Sequence, residues 1–310
     1  MTPETVPRPE ICAGGTDLSE RRRSGVSQGA IVDLQPTRAM TEIVWNASGA
    51  ASLGAAVTIE AVAVDPVIGR AYPGLSAAAG GLATPQIRAV ATVGGNIAQR
   101  SRCWYFRNPH FSCLKKHGSA CPARTGNHRY GVVFDLGPCV APHPSTLGAA
   151  LIAYEARVTT DRRTDLPMAL FFGDGSDGSA DNSLADGERI LSIDLLQPVA
   201  GERAVYRRAI SRTHAEWPLA EAVIRIVPEG ERIAFARVGI GGVAPVPLRL
   251  TEVEDVLLRR RFDETCIAAA SSTAGQGATP LPMTRFKVAL LEGLIADLLE
   301  RLRSAAQQAG

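Results

Sequence analysis

Residues 91 to 146 read ATVGGNIAQRSRCWYFRNPHFSCLKKHGSACPARTGNHRYGVVFDLGPCVAPHPST. Three features share this stretch: a Gly-Gly pair flanked by Thr92 and Asn96, four of the six cysteines of the chain, and His143-Pro144-Ser145-Thr146 leading into an apolar helical pattern. The glycines let a ligand approach the backbone, and the flanking side chains can hydrogen-bond phosphate or ribose oxygens.

Working outward, ICAGGTDL at 11–18 is a second turn of the same kind, followed by the strand-like AIVDL at 30–34. A lone GGT is ordinarily a reverse turn between strands. Two such turns far apart in one chain make a shared ligand more plausible than either does alone. No GxGxxG opens a helix with an acid about 20 residues on, so a nicotinamide on a doubly wound sheet is not indicated. A flavin between two separated glycine turns fits better.

Cys103, Cys113, Cys121 and Cys139 have nine, seven and seventeen residues between them, which is no CxxC knuckle. Seven basic residues and no acid lie between Arg100 and Tyr130, a charge sign that suits an anionic iron-sulfur cluster. Spacing alone leaves a cluster, a zinc site and unligated thiols equally open. Trp104, Tyr105, Phe106 and Phe111 alternate with the basic residues, so a zinc-stabilised module contacting single-stranded RNA is the alternative function. His110, His117, His128 and His143 are read as structural, and Cys12 and Cys266 as plain buried thiols. The acidic run 173–188 misses the calcium-loop pattern and reads as a solvated loop.

The length of 310 residues and an apolar share of 45% suit two domains, each with its own core. Thirty-three basic against 31 acidic side chains leave a net charge of +2, so nothing general draws the chain to nucleic acid or membrane. With no run of about 18 apolar residues and no leader pattern in MTPETVPRPEICAGG, no membrane span is expected. Cytoplasmic residence follows, or export to the periplasm with a partner that carries a signal. After the linker-like 198–202, AVYRRAI, PLAEAVIRIV and ERIAFARVGIGGVA predict antiparallel strands, and TEVEDVLL, FDETCIAAASS and RFKVALLEGLIADLLERLR predict helices. The fold class is therefore α+β.

AGGTDL at 13–18, ATVGGNI at 91–97, VGIGGVA at 238–244 and the closing FKVALL helix together resemble the FAD-binding (medium) subunits of the molybdenum hydroxylases, the xanthine, aldehyde and carbon monoxide dehydrogenase family. RCWYFRN, Cys113, Cys121 and CVAPHPS resemble the branch with an additional 4Fe-4S cluster, as in 4-hydroxybenzoyl-CoA reductase and the periplasmic aldehyde oxidoreductases. The resemblance implies a two-lobed FAD-binding domain of the molybdopterin dehydrogenase type over 1–197, with the cysteine-rich insert at about 100–142, and a smaller α+β domain over 198–310. It implies that Ala13, Gly14, Gly15, Thr16, Asp17 and Leu18 wrap one side of the FAD pyrophosphate and Thr92, Gly94, Gly95, Asn96 and Ile97 the other. Ser145 would lie in the flavin neighbourhood, and Arg208 near where the family often has a flavin-contacting lysine. Cys103, Cys113, Cys121 and Cys139 would ligate the cluster, with no acid-base or nucleophilic residue on this chain. The implied assembly is a heterotrimer with a large molybdenum-cofactor subunit and a small 2Fe-2S subunit, delivering electrons to an external acceptor. Three departures stand out. Only twelve residues precede Ala13, Thr146 stands where relatives often carry Asp, and THAEWPLAEA after Arg212 replaces a SYAFAL-like run.

Overall fold

Glu10–Cys12 (β1) pairs in parallel with Ile31–Asp33 (β2), and the first glycine turn leaves the end of β1 to enter the helix Leu18–Arg23. This small lobe opens the chain in a computed structural model that describes residues 9–212 and 215–308. Thr213 and His214 of the THAEWPLAEA segment, and the first eight residues, lie outside the described residues.

A second lobe is built on five antiparallel strands. They are Ile43–Trp45 (β3), Ala51–Gly54 (β4), Arg157–Thr160 (β5), Leu166–Pro167 (β6) and Ile190–Asp194 (β7), in the order β3-β4-β7-β5-β6. Between β4 and β5 the chain makes its short helices. Thr58 caps Ile59–Val64 by accepting from the Ala61 amide at 3.1 Å, and Asp65 with Pro66 ends that helix and starts the next. Leu53, Ile59, Leu75, Ile97, Leu147 and Ile193 are fully buried in one core around these elements.

The third sheet is antiparallel: Arg203–Ala209 (β8), Ala220–Glu229 (β9), Arg232–Gly241 (β10) and Leu248–Arg249 (β11), in the order β11-β10-β9-β8. Gly230, with φ of +58°, supplies the left-handed turn between β9 and β10. Most of β9 is buried, because the helix Thr146–Ala153 and the long helix Phe286–Gln308 both pack on it. That is why PLAEAVIRIV reads as a near-continuous apolar run rather than an alternating one. A second core gathers Ile224, Val238, Ile240, Leu257, Leu291 and Leu299. At Gly239 a Cβ would overlap the Ala149 carbonyl, so the glycines of VGIGGVA let the helix Thr146–Ala153 lie directly on the sheet.

Two expectations are corrected. Asp174 and Asp177 do sit on the surface, each turning its carboxylate onto a serine two residues on, but Asp181 is buried and ion-paired. Its partners come from the cysteine insert, which no local pattern in 173–188 could reveal. Cys12 is half-buried rather than buried, because the edge of β1 leaves it partly open, whereas Cys266 is fully buried as expected.

Candidate functional site

The two glycine turns touch. A Cβ on Gly14 would overlap the Val90 carbonyl oxygen, two residues before Thr92, so only glycine permits this approach. Gly15 holds φ of +70°, in the left-handed region. Among the described residues the amides of Ala13, Gly14, Gly15, Thr16 and Asp17 donate to no protein acceptor. A run of free N–H groups in a tight turn is an anion cradle.

The second turn is differently occupied. Thr92 caps the helix Val93–Ile97 by accepting from the Gly95 amide at 3.1 Å, and the amides of Val93 and Gly94 donate to Val57 and Ala55. Gly94 and Ile97 are buried, and Gly95 and Asn96 reach the surface. Asn96 Oδ1 accepts from the Ser145 hydroxyl at 2.6 Å, which leaves its NH2 group to face outward. Ser145 in turn caps the helix Thr146–Ala153 by accepting from the Gly148 amide at 2.9 Å. Thus HPST joins the second turn as a third arm.

Beneath that arm lies a carboxyl the sequence reading missed. Glu221, fully buried on β9 opposite Arg208 of β8, accepts from the Tyr206 hydroxyl at 2.9 Å and meets the Thr146 hydroxyl. Burial pushes its carboxyl up to about 7, against the pull of Thr146, Tyr206 and Arg208. Its Oε1 has no hydrogen-bond partner among the described residues. Arg208, half-buried, acts on Glu221 through its charge rather than through a hydrogen bond.

The Asp17 carboxylate turns away from the glycines and into the insert. It meets Arg21 at 3.0 Å, Arg102 at 2.9 Å, Arg107 at 2.7 Å and the Arg100 amide at 3.2 Å. Arg124 pairs with Asp135 at 2.6 Å and Lys115 with Asp181 at 2.8 Å. With Arg100 also on Asp181, five of the insert's seven cations are answered by protein carboxylates. Phe106 is buried, Tyr105 packs edge-on to Phe111 and receives the Asn127 amide, and Trp104 rests against Tyr130. Within the aromatic row Phe106 is buried and Tyr105 half-buried, while Trp104 and Phe111 stay exposed. Two side chains fasten the insert to the long C-terminal helix region. His128 accepts from the Met283 amide at 3.2 Å, and the Lys287 ammonium donates to the carbonyls of Gly131 and Gly242 at 2.8 and 2.6 Å.

Cys103, Cys113, Cys121 and Cys139 line one small pocket. Backbone amides of Tyr105 and Phe106 point at the Cys103 sulfur, those of Ala123, Arg124 and Val140 at Cys121, and that of Ala141 at Cys139. The Cys139 thiol donates to Cys121, which lowers the Cys121 pKa and raises that of Cys139. Among the described residues no group of three or more His, Cys, Asp or Glu side chains is gathered so as to hold a single metal ion. A second cavity, of about 600 Å³, shares Cys103, Tyr105 and Ala141 with this pocket and opens toward Arg212 and Trp217. The Arg102 guanidinium lies 4.3 Å from the centre of the Trp217 ring, so Trp217 rests against the insert.

Residues 3–195 match the FAD binding domain in molybdopterin dehydrogenase, and residues 205–302 match the CO dehydrogenase flavoprotein C-terminal domain. The chain belongs to the molybdopterin dehydrogenase flavoprotein family. It is 28% identical over 99% of its length to the aldehyde oxidoreductase FAD-binding subunit PaoB of Escherichia coli K12, covering 95% of that protein. It is 23% identical to the 6-hydroxypseudooxynicotine dehydrogenase complex subunit alpha of Paenarthrobacter nicotinovorans, with 96% of this chain and 86% of that one covered. The carbon monoxide dehydrogenase of Hydrogenophaga pseudoflava shares the fold, at TM-score 0.73 and 20% identity over 94% of this chain and 88% of that one. So does quinoline 2-oxidoreductase of Pseudomonas putida 86, at TM-score 0.74 and 18% identity over 96% and 90%. As a member of this family the chain binds FAD and is the flavoprotein component of an oxidoreductase. Nothing in these likenesses favours RNA binding. Among the described residues no helix is long and apolar enough to cross a membrane.

Proposed function

We propose that this flavoprotein is the FAD subunit of a heterotrimeric molybdenum hydroxylase, working with a large molybdenum-cofactor subunit and a small 2Fe-2S subunit, and that its four-cysteine pocket carries a 4Fe-4S cluster. The observation that carries the flavin site is the contact of the two glycine turns, with free amides from Ala13 to Asp17 on one of them. The FAD diphosphate would take those amides on one side and the face formed by Thr92, Gly95 and Asn96 on the other, with Gly94 and Ile97 shaping the turn from beneath. Asn96 is oriented for this by Ser145. Arg208 would supply positive charge toward the flavin from the C-terminal sheet, where it lies opposite the buried Glu221. Bound FAD takes up two electrons and releases them singly or together to an external acceptor.

The donor set fits a cluster better than zinc. A lone tetrahedral zinc at about 2.3 Å from each sulfur would draw the four thiols to within about 3.8 Å of one another. A cubane would take one thiolate per iron and spread them around a common pocket such as the one these four thiols line. The amides aimed at the sulfurs are the N–H donors such a group uses to tune its potential. When bound, the cluster supplies a one-electron store beside the flavin. Cytoplasmic residence, with export only alongside a signal-bearing partner, completes the reading.

The test is co-purification followed by a visible spectrum and metal analysis. The expected result is two companion chains, one flavin, and about four irons with matching sulfide on this subunit. A colourless chain, or zinc in place of iron, overturns it.

A further inference from the structure

Lys115 lies in the insert and lines the four-cysteine pocket, yet its ammonium is committed elsewhere: 2.8 Å from Asp181 Oδ1 and 2.6 Å from the Ala180 carbonyl. The other Asp181 oxygen takes Arg100, whose backbone amide donates at 3.2 Å to Asp17 of the first glycine turn. The side chains of Lys115 and Asp181 are 6% and 3% exposed, so solvent screens this pair little. From the glycine turn to the thiols the charges alternate: Asp17, Arg100, Asp181, Lys115. His143 is the remaining titratable group against Asp181, and it is neutral, since burial lowers it to about 4.

We propose that Asp181 is a positioning residue that fixes Lys115 against the four-thiol pocket and partly neutralises it, thereby setting the reduction potential of the iron-sulfur group held there. The inference rests on the cluster reading above. A buried cation stabilises the reduced, more anionic cluster, and a carboxylate behind that cation weakens the effect. Two substitutions of opposite charge therefore have opposite consequences. Lys115→Met removes the cation and favours the oxidised form. Asp181→Asn uncovers Lys115 and Arg100 and favours the reduced form.

The experiment is a redox titration of the assembled complex, monitored by electron paramagnetic resonance. Each variant is expected to change the reduction equilibrium by about tenfold, in opposite directions, or about 59 mV for a one-electron couple. A scaffold role for the pair would move both variants the same way or neither, and either result overturns the proposal. Where Asp181→Asn does not assemble, Lys115→Arg is compared with Lys115→Met: a potential held by the first and lowered by the second supports the electrostatic role, and equal potentials overturn it. Iron and sulfide absent from the unaltered complex sink the cluster reading itself. Iron present with unmoved potentials sinks only the role of Asp181.

Discussion

The Ser145 hydroxyl donates to Asn96 Oδ1 across 2.6 Å while accepting from the Gly148 amide at 2.9 Å. One oxygen thus caps a helix and aims a side chain of the proposed flavin site. Ser145→Ala loses both roles. The cap costs about 1 kcal/mol, worth a fall of about 2 °C in Tm for a chain of this size. The variant is expected to fold yet lose flavin faster on gel filtration, and unchanged flavin retention would show that Asn96 needs no such support.

Gly14→Ala forces a methyl group into the Val90 carbonyl. The turns must part, and the amides of the first no longer face the second. The variant is expected to be purified nearly free of FAD, read as the ratio of absorbance at the flavin band to that of protein. Gly293→Ala serves as a control at a helical glycine with nothing within 4 Å of its Cβ; it should keep its FAD.

Glu221 makes a prediction about pH. Its carboxyl ionises near 7 in the folded chain and near 4.5 ordinarily. A group that holds its proton better when folded contributes stability in full below about 4.5 and loses it as pH rises through about 7. The loss amounts to roughly 3 kcal/mol at most. Glu221→Gln has no proton to lose there, so in thermal melts the variant should gain on the parent steadily between pH 5 and 8. Parallel profiles would show that Glu221 is already ionised in the fold.

Lys287 of the C-terminal helix holds two buried carbonyls, Gly131 in the insert and Gly242 just after β10. Lys287→Met leaves both without a donor, at about 1–3 kcal/mol. The expected sign is a lower Tm together with earlier tryptic cleavage at Arg124 or Arg129. Cleavage elsewhere first would mean that the insert holds its shape unaided.

Much of this was legible from residues. The glycine turns, the Thr58 cap, the break at Pro66 and the antiparallel set ending in GIGG all follow from local chemistry. What stayed hidden depends on contacts between distant segments. Asp181 looks like any loop aspartate until Lys115 is folded against it, and Glu221 sits in an apolar strand pattern that gives no hint of Thr146 overhead. The seven cations of the insert suggested attraction to an anionic cluster or nucleic acid, because the carboxylates that answer several of them lie outside the cationic run. The second glycine turn resembled a second cradle, but its amides are already taken, those of Val93 and Gly94 by Val57 and Ala55 and those of Gly95 and Asn96 by Thr92.

The dependence of Lys115 on Asp181 bears on how such an insert can be moved between proteins. Residues 100–142 transplanted by themselves into a relative would arrive with a buried ammonium and no counter-ion, a cost of several kcal/mol. The acidic loop has to travel with the cysteines, and a lineage that gained one without the other would have had to blunt Lys115 first.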